Sequence, residues 1–112
     1  MVAPAAGSVV LVPFPFSDLS HSKRRPAVVL ANSGKGDWIL CQLTSRSYAD
    51  QLAVELDDRD FSTGGLRVTS YARPGKLFTA HEGIFVSMEG ILRPEALQRI
   101  TDRICSLLDG RK

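Results

Sequence analysis

Lys23-Arg24-Arg25-Pro26-Ala27-Val28-Val29-Leu30-Ala31 passes from a run of cations into an unbroken apolar run across one Arg-Pro junction. Proline holds its own φ near about −65° and biases the residue before it toward extended backbone. Arg25 is therefore held more rigidly than Lys23 or Arg24, at the mouth of a strand over Pro26–Ala31 whose β-branched residues suit a buried sheet position. Upstream, Ser17 to Arg25 is polar and rich in turn-forming Ser and Asp, which predicts a mobile basic loop. Before it, Ser8-Val9-Val10-Leu11-Val12-Pro13-Phe14 reads as a strand packed on both faces, with pairing expected to stop near Pro13 because proline lacks a ladder donor.

Downstream, Asn32–Asp37 predicts a turn and Trp38–Thr44 a third strand, so an antiparallel meander follows. In a meander the exit of the third strand, Thr44-Ser45-Arg46-Ser47, can lie beside the entry of the second. Hydroxyls and the Arg25 guanidinium would then face one cleft, unless Arg25 is simply paired with a carboxylate such as Asp18. Gln51–Leu56 alternates as a half-exposed strand, and the acidic cluster Asp57, Asp58 and Asp60 followed by Ser62-Thr63-Gly64-Gly65 predicts a connection. Leu66–Tyr71 and Lys76–His81 alternate again, with Arg73-Pro74-Gly75 as a turn or bulge between them. Leu97, Ile100, Ile104, Leu107 and Leu108 then fall at helical spacing, with Pro94 at the first turn and Gly110 placed to terminate. Six or seven short strands and a C-terminal helix predict a mainly β fold, a small and strongly bent antiparallel barrel with the helix laid on it.

At 112 residues the chain is expected to form one domain over 1–112. Its 44% hydrophobic and 23% charged residues exclude the disordered and collagenous classes. No stretch has the length or apolarity of a membrane span or a signal peptide, so a cytoplasmic protein with no membrane partner is expected. The formal charge of +2 is too small for a strong overall nucleic-acid field, but ten of the fourteen basic residues are arginine, whose planar fork suits phosphate. The Lys23-Arg24-Arg25 cluster fits either a phosphodiester contact or a solvated charge run. Cys41 and Cys105 have no partner at ligand spacing, so no metal site is expected and both read as small buried hydrophobes.

The segments Gly7–Phe14, Ser17–Ser22, Lys23–Leu30 and Leu40–Ser45, with Ser70–Thr79 and Gly90-Ile91-Leu92, together resemble the MazF/PemK toxins of bacterial toxin–antitoxin pairs. The similarity spans essentially the whole chain, and Arg-Pro-Ala-Val-Val with a Thr-Ser some eighteen residues later is its most specific part. The resemblance implies an SH3-like barrel, a homodimer, cleavage of single-stranded RNA without metal or other cofactor, and inhibition by a cognate antitoxin. The family's essential arginine and its hydroxyl partner map onto Arg25 and Thr44. The chain departs from the family at Ser8 and Ser70, where many or several members carry acidic residues, so the resemblance assigns no general base.

The chemistry is coherent with that resemblance. Attack of a ribose 2′-hydroxyl on its own phosphate needs alignment, removal of a proton, stabilisation of added negative charge and protonation of the leaving oxygen. Arginine is a poor proton donor but a strong stabiliser of a dianionic phosphorane, which suits Arg25. Thr44 would orient the phosphate or relay a proton. His21 and His81 are the only histidines, and nothing pairs them. Phe16, Ser17, Asp18, His21, Lys23 and Arg24 in the loop, with Ser45, Arg46, Ser70 and Arg73, are the candidate RNA contacts. Phe14, Phe16 and Tyr71 suit either base stacking or core packing. An acidic, partly disordered antitoxin segment is expected over the basic groove. The alternatives are a non-catalytic barrel that binds nucleic acid or peptide, and a toxin relative without activity.

Overall fold

The structure, a computed structural model, describes residues 3–14, 23–47 and 50–110, without the side chains of Phe14 and Lys23. It contains seven strands: β1 (Ser8–Phe14), β2 (Lys23–Gly34), β3 (Asp37–Thr44), β4 (Val54–Leu56), β5 (Phe61–Gly64), β6 (Ser70–His81) and β7 (Ser87–Leu92). A helix, α1 (Pro94–Leu108), follows. The strands form one curled antiparallel sheet in the order β4-β6-β3-β2-β1-β7-β5, a half-barrel whose two edge strands do not pair with each other.

The sheet buries both of its faces, as the apolar run of β1 requires. Val9 packs with Val28, Cys41, Leu43, Leu56 and Leu92 against Ala96, Ile100 and Ile104 of α1. Val10 and Val12 point the other way, into a second cluster with Ala27, Val29, Leu40 and Phe85. Strand alternation thus divides one β-branched segment between two cores. The helix has the predicted ends, with Pro94 in its first turn and Gly110 after it at φ +75°, but its buried stripe is Ala96, Ile100 and Ile104 with Leu97 partly buried, while the expected Leu107 and Leu108 are exposed.

Four expectations are corrected. Lys23-Arg24-Arg25 is strand, not loop: β2 pairs with β1 through Arg25↔Val12, Arg24↔Pro13 and Lys23↔Phe14, so pairing continues past Pro13. A missing donor removes one ladder bond without ending the ladder. The acidic connection is a short 3₁₀ turn, Asp58–Asp60, leading into β5. Its ends are tied by Asp57 and Asp60, each of whose carboxylates accepts from the other end's backbone, and Arg99 of α1 reaches Asp60 at 2.9 Å. The two strands expected around Arg73-Pro74-Gly75 are one long strand, β6, while Leu66–Thr69 lies outside it. The pairing of β6 with β3 jumps from Leu77↔Cys41 to Ala72↔Leu43, so Pro74 sits buried in a wide bulge where the ladder asks nothing of it. Finally, Cys41 is buried as expected, but Cys105 is exposed on the outer side of α1.

Candidate functional site

The β2–β3 register sets the geometry. Ala27 lies opposite Gln42 and Val28 opposite Cys41, and continuing that register past the last ladder pair puts Arg25 opposite Thr44. By strand alternation both share a face with Ala27, Val29 and Leu40, while Arg24, Pro26 and Leu43 alternate to the face that packs on α1, so residues of both faces meet at this end of the strands. A cleft of about 430 Å³ occupies this end. Arg24, Arg25 and Pro26 from β2, Leu43, Thr44 and Ser45 from the end of β3, and Ser70 from β6 line it. Arg25 and Thr44 thus line the same cleft.

Thr44 is 5% exposed, and its Oγ1 accepts the Arg46 backbone N–H at 3.2 Å. The oxygen is thereby held, and the hydroxyl keeps its proton as a donor. Ser70 is buried too, but its hydroxyl donates to the Val68 carbonyl at 3.1 Å. That bond ties Ser70 to the segment just before β6, so its hydroxyl is already engaged within the wall.

The opposite wall was not legible as a site in the sequence. Gly65, Leu66, Arg67 and Val68 line it, with Glu89 of β7 and Leu11 of β1. Arg67 and Val68 stand within the Leu66–Tyr71 alternation, which marks a strand and hides a lining role. This wall is held by a close crossing of β5 and β7. The Gly65 N–H donates to the Glu89 carbonyl at 3.0 Å. A Cβ on Gly64 would collide with that same carbonyl, and a Cβ on Gly90 would meet Gly65 N and Thr63 O, both at 2.8 Å. Glycine on both chains is what lets the backbones approach.

Among the described residues, Arg24, Arg25 and Arg67 form no ion pair, so three guanidinium groups face the cleft without a carboxylate partner. Fixed positive charge in a partly enclosed cleft attracts a polyanion. Two of the candidate contacts stand apart from this cleft. Arg73 does not line the cleft: its Nε donates to Asp50 at 3.2 Å, and its side chain is largely buried in that pair. Arg46 is exposed beyond the rim and does not line the cleft either. Phe16, Ser17, Asp18 and His21 lie outside the described residues, as does the side chain of Lys23. Tyr71 is half-buried on β6, paired with Thr44 and Glu55, and is not part of the cleft wall. His81 lies at the far end of β6, where its Nδ1 accepts the Gly83 N–H at 2.9 Å and closes a 3₁₀ turn.

One buried group is strongly perturbed. Burial pushes the Cys41 thiol up from an ordinary 9.0 to about 12, and the nearby Asp50 carboxylate adds to the rise. A thiol this reluctant to ionise is a packing group, and its Sγ donates to the Arg73 carbonyl at 3.2 Å.

A curled antiparallel half-barrel with a C-terminal helix and a basic, hydroxyl-bearing cleft at one end has well-matched relatives among solved structures. An endoribonuclease in complex with its cognate antitoxin from a mycobacterial species superposes with a TM-score of 0.76 over 96% of each chain, at 16% identity. MazF from Deinococcus radiodurans does so with a TM-score of 0.74, over 97% of this chain and 99% of that one, at 22% identity. A MazE-MazF structure from the same organism gives 0.73 over 97% and 98%, also at 22% identity. No curated protein matches the chain in sequence. The model of the PemK-like, MazF-like toxin of type II toxin–antitoxin systems matches residues 5–108, and the chain belongs to that family.

Proposed function

We propose that this chain is an endoribonuclease toxin that cleaves single-stranded RNA, mRNA above all, by transesterification and is neutralised by a cognate antitoxin. The observation that carries the reading is the cleft itself. It combines three arginines that form no ion pair among the described residues with the Thr44 hydroxyl in a space of about 430 Å³, a size that suits a nucleotide segment. The family is one of toxins paired with antitoxins, and the mycobacterial structural relative is an endoribonuclease seen with its antitoxin.

In this reading the RNA phosphate lies between Arg25 and Thr44. The ribose 2′-oxygen attacks phosphorus, the Arg25 guanidinium stabilises the dianionic phosphorane, and the Thr44 hydroxyl donates to a non-bridging oxygen. The 5′-oxygen leaves, giving a 2′,3′-cyclic phosphate and a 5′-hydroxyl. The chemistry needs positive charge at phosphorus, which guanidinium groups supply without a metal. Arg24, Arg67 and Ser45, which line the same cleft, hold the flanking phosphates. An acidic segment of the antitoxin would compete for the same arginines, so RNA and antitoxin binding should exclude one another. A homodimer and a cytoplasmic location accompany this reading.

The test is incubation of the parent and of Arg25→Ala with random-sequence single-stranded RNA in EDTA, followed by end-group analysis. The parent should leave cyclic phosphate ends, and the variant should be slower by about 10²–10³-fold while melting like the parent. Intact RNA with tight binding by the parent would instead identify a binding module. A folded Arg25→Ala protein that cuts at the parent's rate would remove Arg25 from the chemistry.

A further inference from the structure

The reaction requires a proton acceptor for the 2′-hydroxyl, and the Ser70 hydroxyl at the cleft is committed to the Val68 carbonyl. The cleft nevertheless contains a carboxylate, on a different strand. Among the described residues that line it, Glu89 of β7 is the one acidic side chain. Its placement has a specific backbone cause. The β1–β7 register runs Val9↔Gly90 and then Val10↔Met88, so two steps along β7 are matched by one along β1 and Glu89 is the extra residue of a β-bulge. Bulges re-aim side chains that regular alternation would send elsewhere, and they recur beside active sites.

The carboxylate is also held and chemically available. Ser87 Oγ donates to Glu89 Oε2 at 2.9 Å, which fixes one oxygen and leaves Oε1 to act. The charged groups that share the cleft with it are Arg24 and Arg25 of β2 and Arg67 of the segment before β6, and none forms an ion pair with it among the described residues. The strands flanking β7, β1 and β5, contain no charged side chain at all. The half-buried carboxylate is thus neither neutralised by a salt bridge nor turned to bulk solvent.

We propose that Glu89 is the general base that accepts the 2′-hydroxyl proton, a role that rests on the nuclease reading above and completes it. As the O2′–P bond forms, the O2′–H proton passes to Glu89 Oε1. The P–O5′ bond breaks, and the departing oxygen takes a proton from solvent water. The hydroxide so formed recovers the proton from Glu89, and the enzyme is returned unchanged. Arg25 and Glu89 then divide the work, the cation stabilising charge at phosphorus and the anion removing the proton.

The experiment is single-turnover cleavage of 5′-labelled random-sequence single-stranded RNA in EDTA across pH 5 to 9, for the parent, Glu89→Gln and Glu89→Asp, with RNA affinity measured beside it on a 2′-deoxy strand. For the parent, the rate should fall with unit slope on the acidic side. Glu89→Gln should lose that limb and be slower by about 10²–10⁴-fold near neutrality, with affinity equal or tighter because a negative charge has gone. Glu89→Asp, whose carboxylate sits one methylene back, should keep the limb at an intermediate rate, and it carries the test if Glu89→Gln does not melt cooperatively. The proposal is overturned if either variant cleaves within threefold of the parent, if the acidic limb survives in Glu89→Gln, or if rate and affinity fall together. A parent that leaves RNA intact at every pH refutes the nuclease reading itself, an outcome distinct from all of these.

Discussion

Replacing Gly90 with alanine perturbs one point on which the cleft depends. An added Cβ would stand 2.8 Å from Gly65 N, from Thr63 O and from the Phe61 ring, closer than real Cβ atoms approach their neighbours. Two of those three are backbone atoms, which cannot swing aside as a side chain would. Relief requires β5 to move away from β7, which carries Gly65, Leu66 and Arg67 outward with it. Overpacking of this kind costs about 1–3 kcal/mol. At roughly 4 °C per kcal/mol for a chain of this size, the melting midpoint should fall by about 4–12 °C. Gly75→Ala is the matched control, since its Cβ would meet only Leu107 at an ordinary 3.8 Å and its φ is not in the left-handed region. Both substitutions restrict the unfolded chain alike, so their difference isolates the collision. Scanning fluorimetry at fixed protein concentration reads the midpoints. If Gly90→Ala melts within 1 °C of Gly75→Ala, the close crossing does not hold the cleft wall and the reasoning fails.

Two further outcomes follow from the same structure. Arg67→Ala should weaken RNA binding and lower the magnitude of the slope of log affinity against log salt by about 0.7, the share of one phosphate contact on a single strand; an unchanged slope would place Arg67 off the RNA path. The Cys41 thiol, raised in the folded state to about 12, stays neutral where the unfolded thiol ionises. Its contribution is complete below about pH 9 and is lost as pH rises toward 12, at roughly 1.4 kcal/mol per pH unit. Denaturant midpoints at pH 7, 9 and 10 should therefore fall more steeply for the parent than for Cys41→Ala, and parallel falls would refute the assignment.

The periods of the chain made much of this legible in advance. The double-sided apolar run of β1 and the helical stripe of α1 are local patterns that tertiary packing had only to accept. Arg25-Pro26 and Thr44 could be paired because a meander with a short turn fixes its register, and register converts sequence spacing into opposition across a ladder. The long-range pairings were less visible. Lys23-Arg24-Arg25 looks like loop by polarity, yet it is drawn into β2 because β1 offers it ladder partners past Pro13. Arg73 looks as available as Arg25, but Asp50, brought close by the fold, engages it.

The local order of residues decided that β1 would be buried on both faces and that the chain would close with an amphipathic helix. Only the folded sheet decided the membership of the cleft. Arg67 and Glu89 are far from Arg25 along the chain, and no spacing relates them to it. They meet it because glycine pairs let β5 cross close to β7 and because a one-residue mismatch against β1 gives β7 an extra residue, Glu89, at the cleft. Both are properties of two backbones in contact, which a single strand's sequence does not contain.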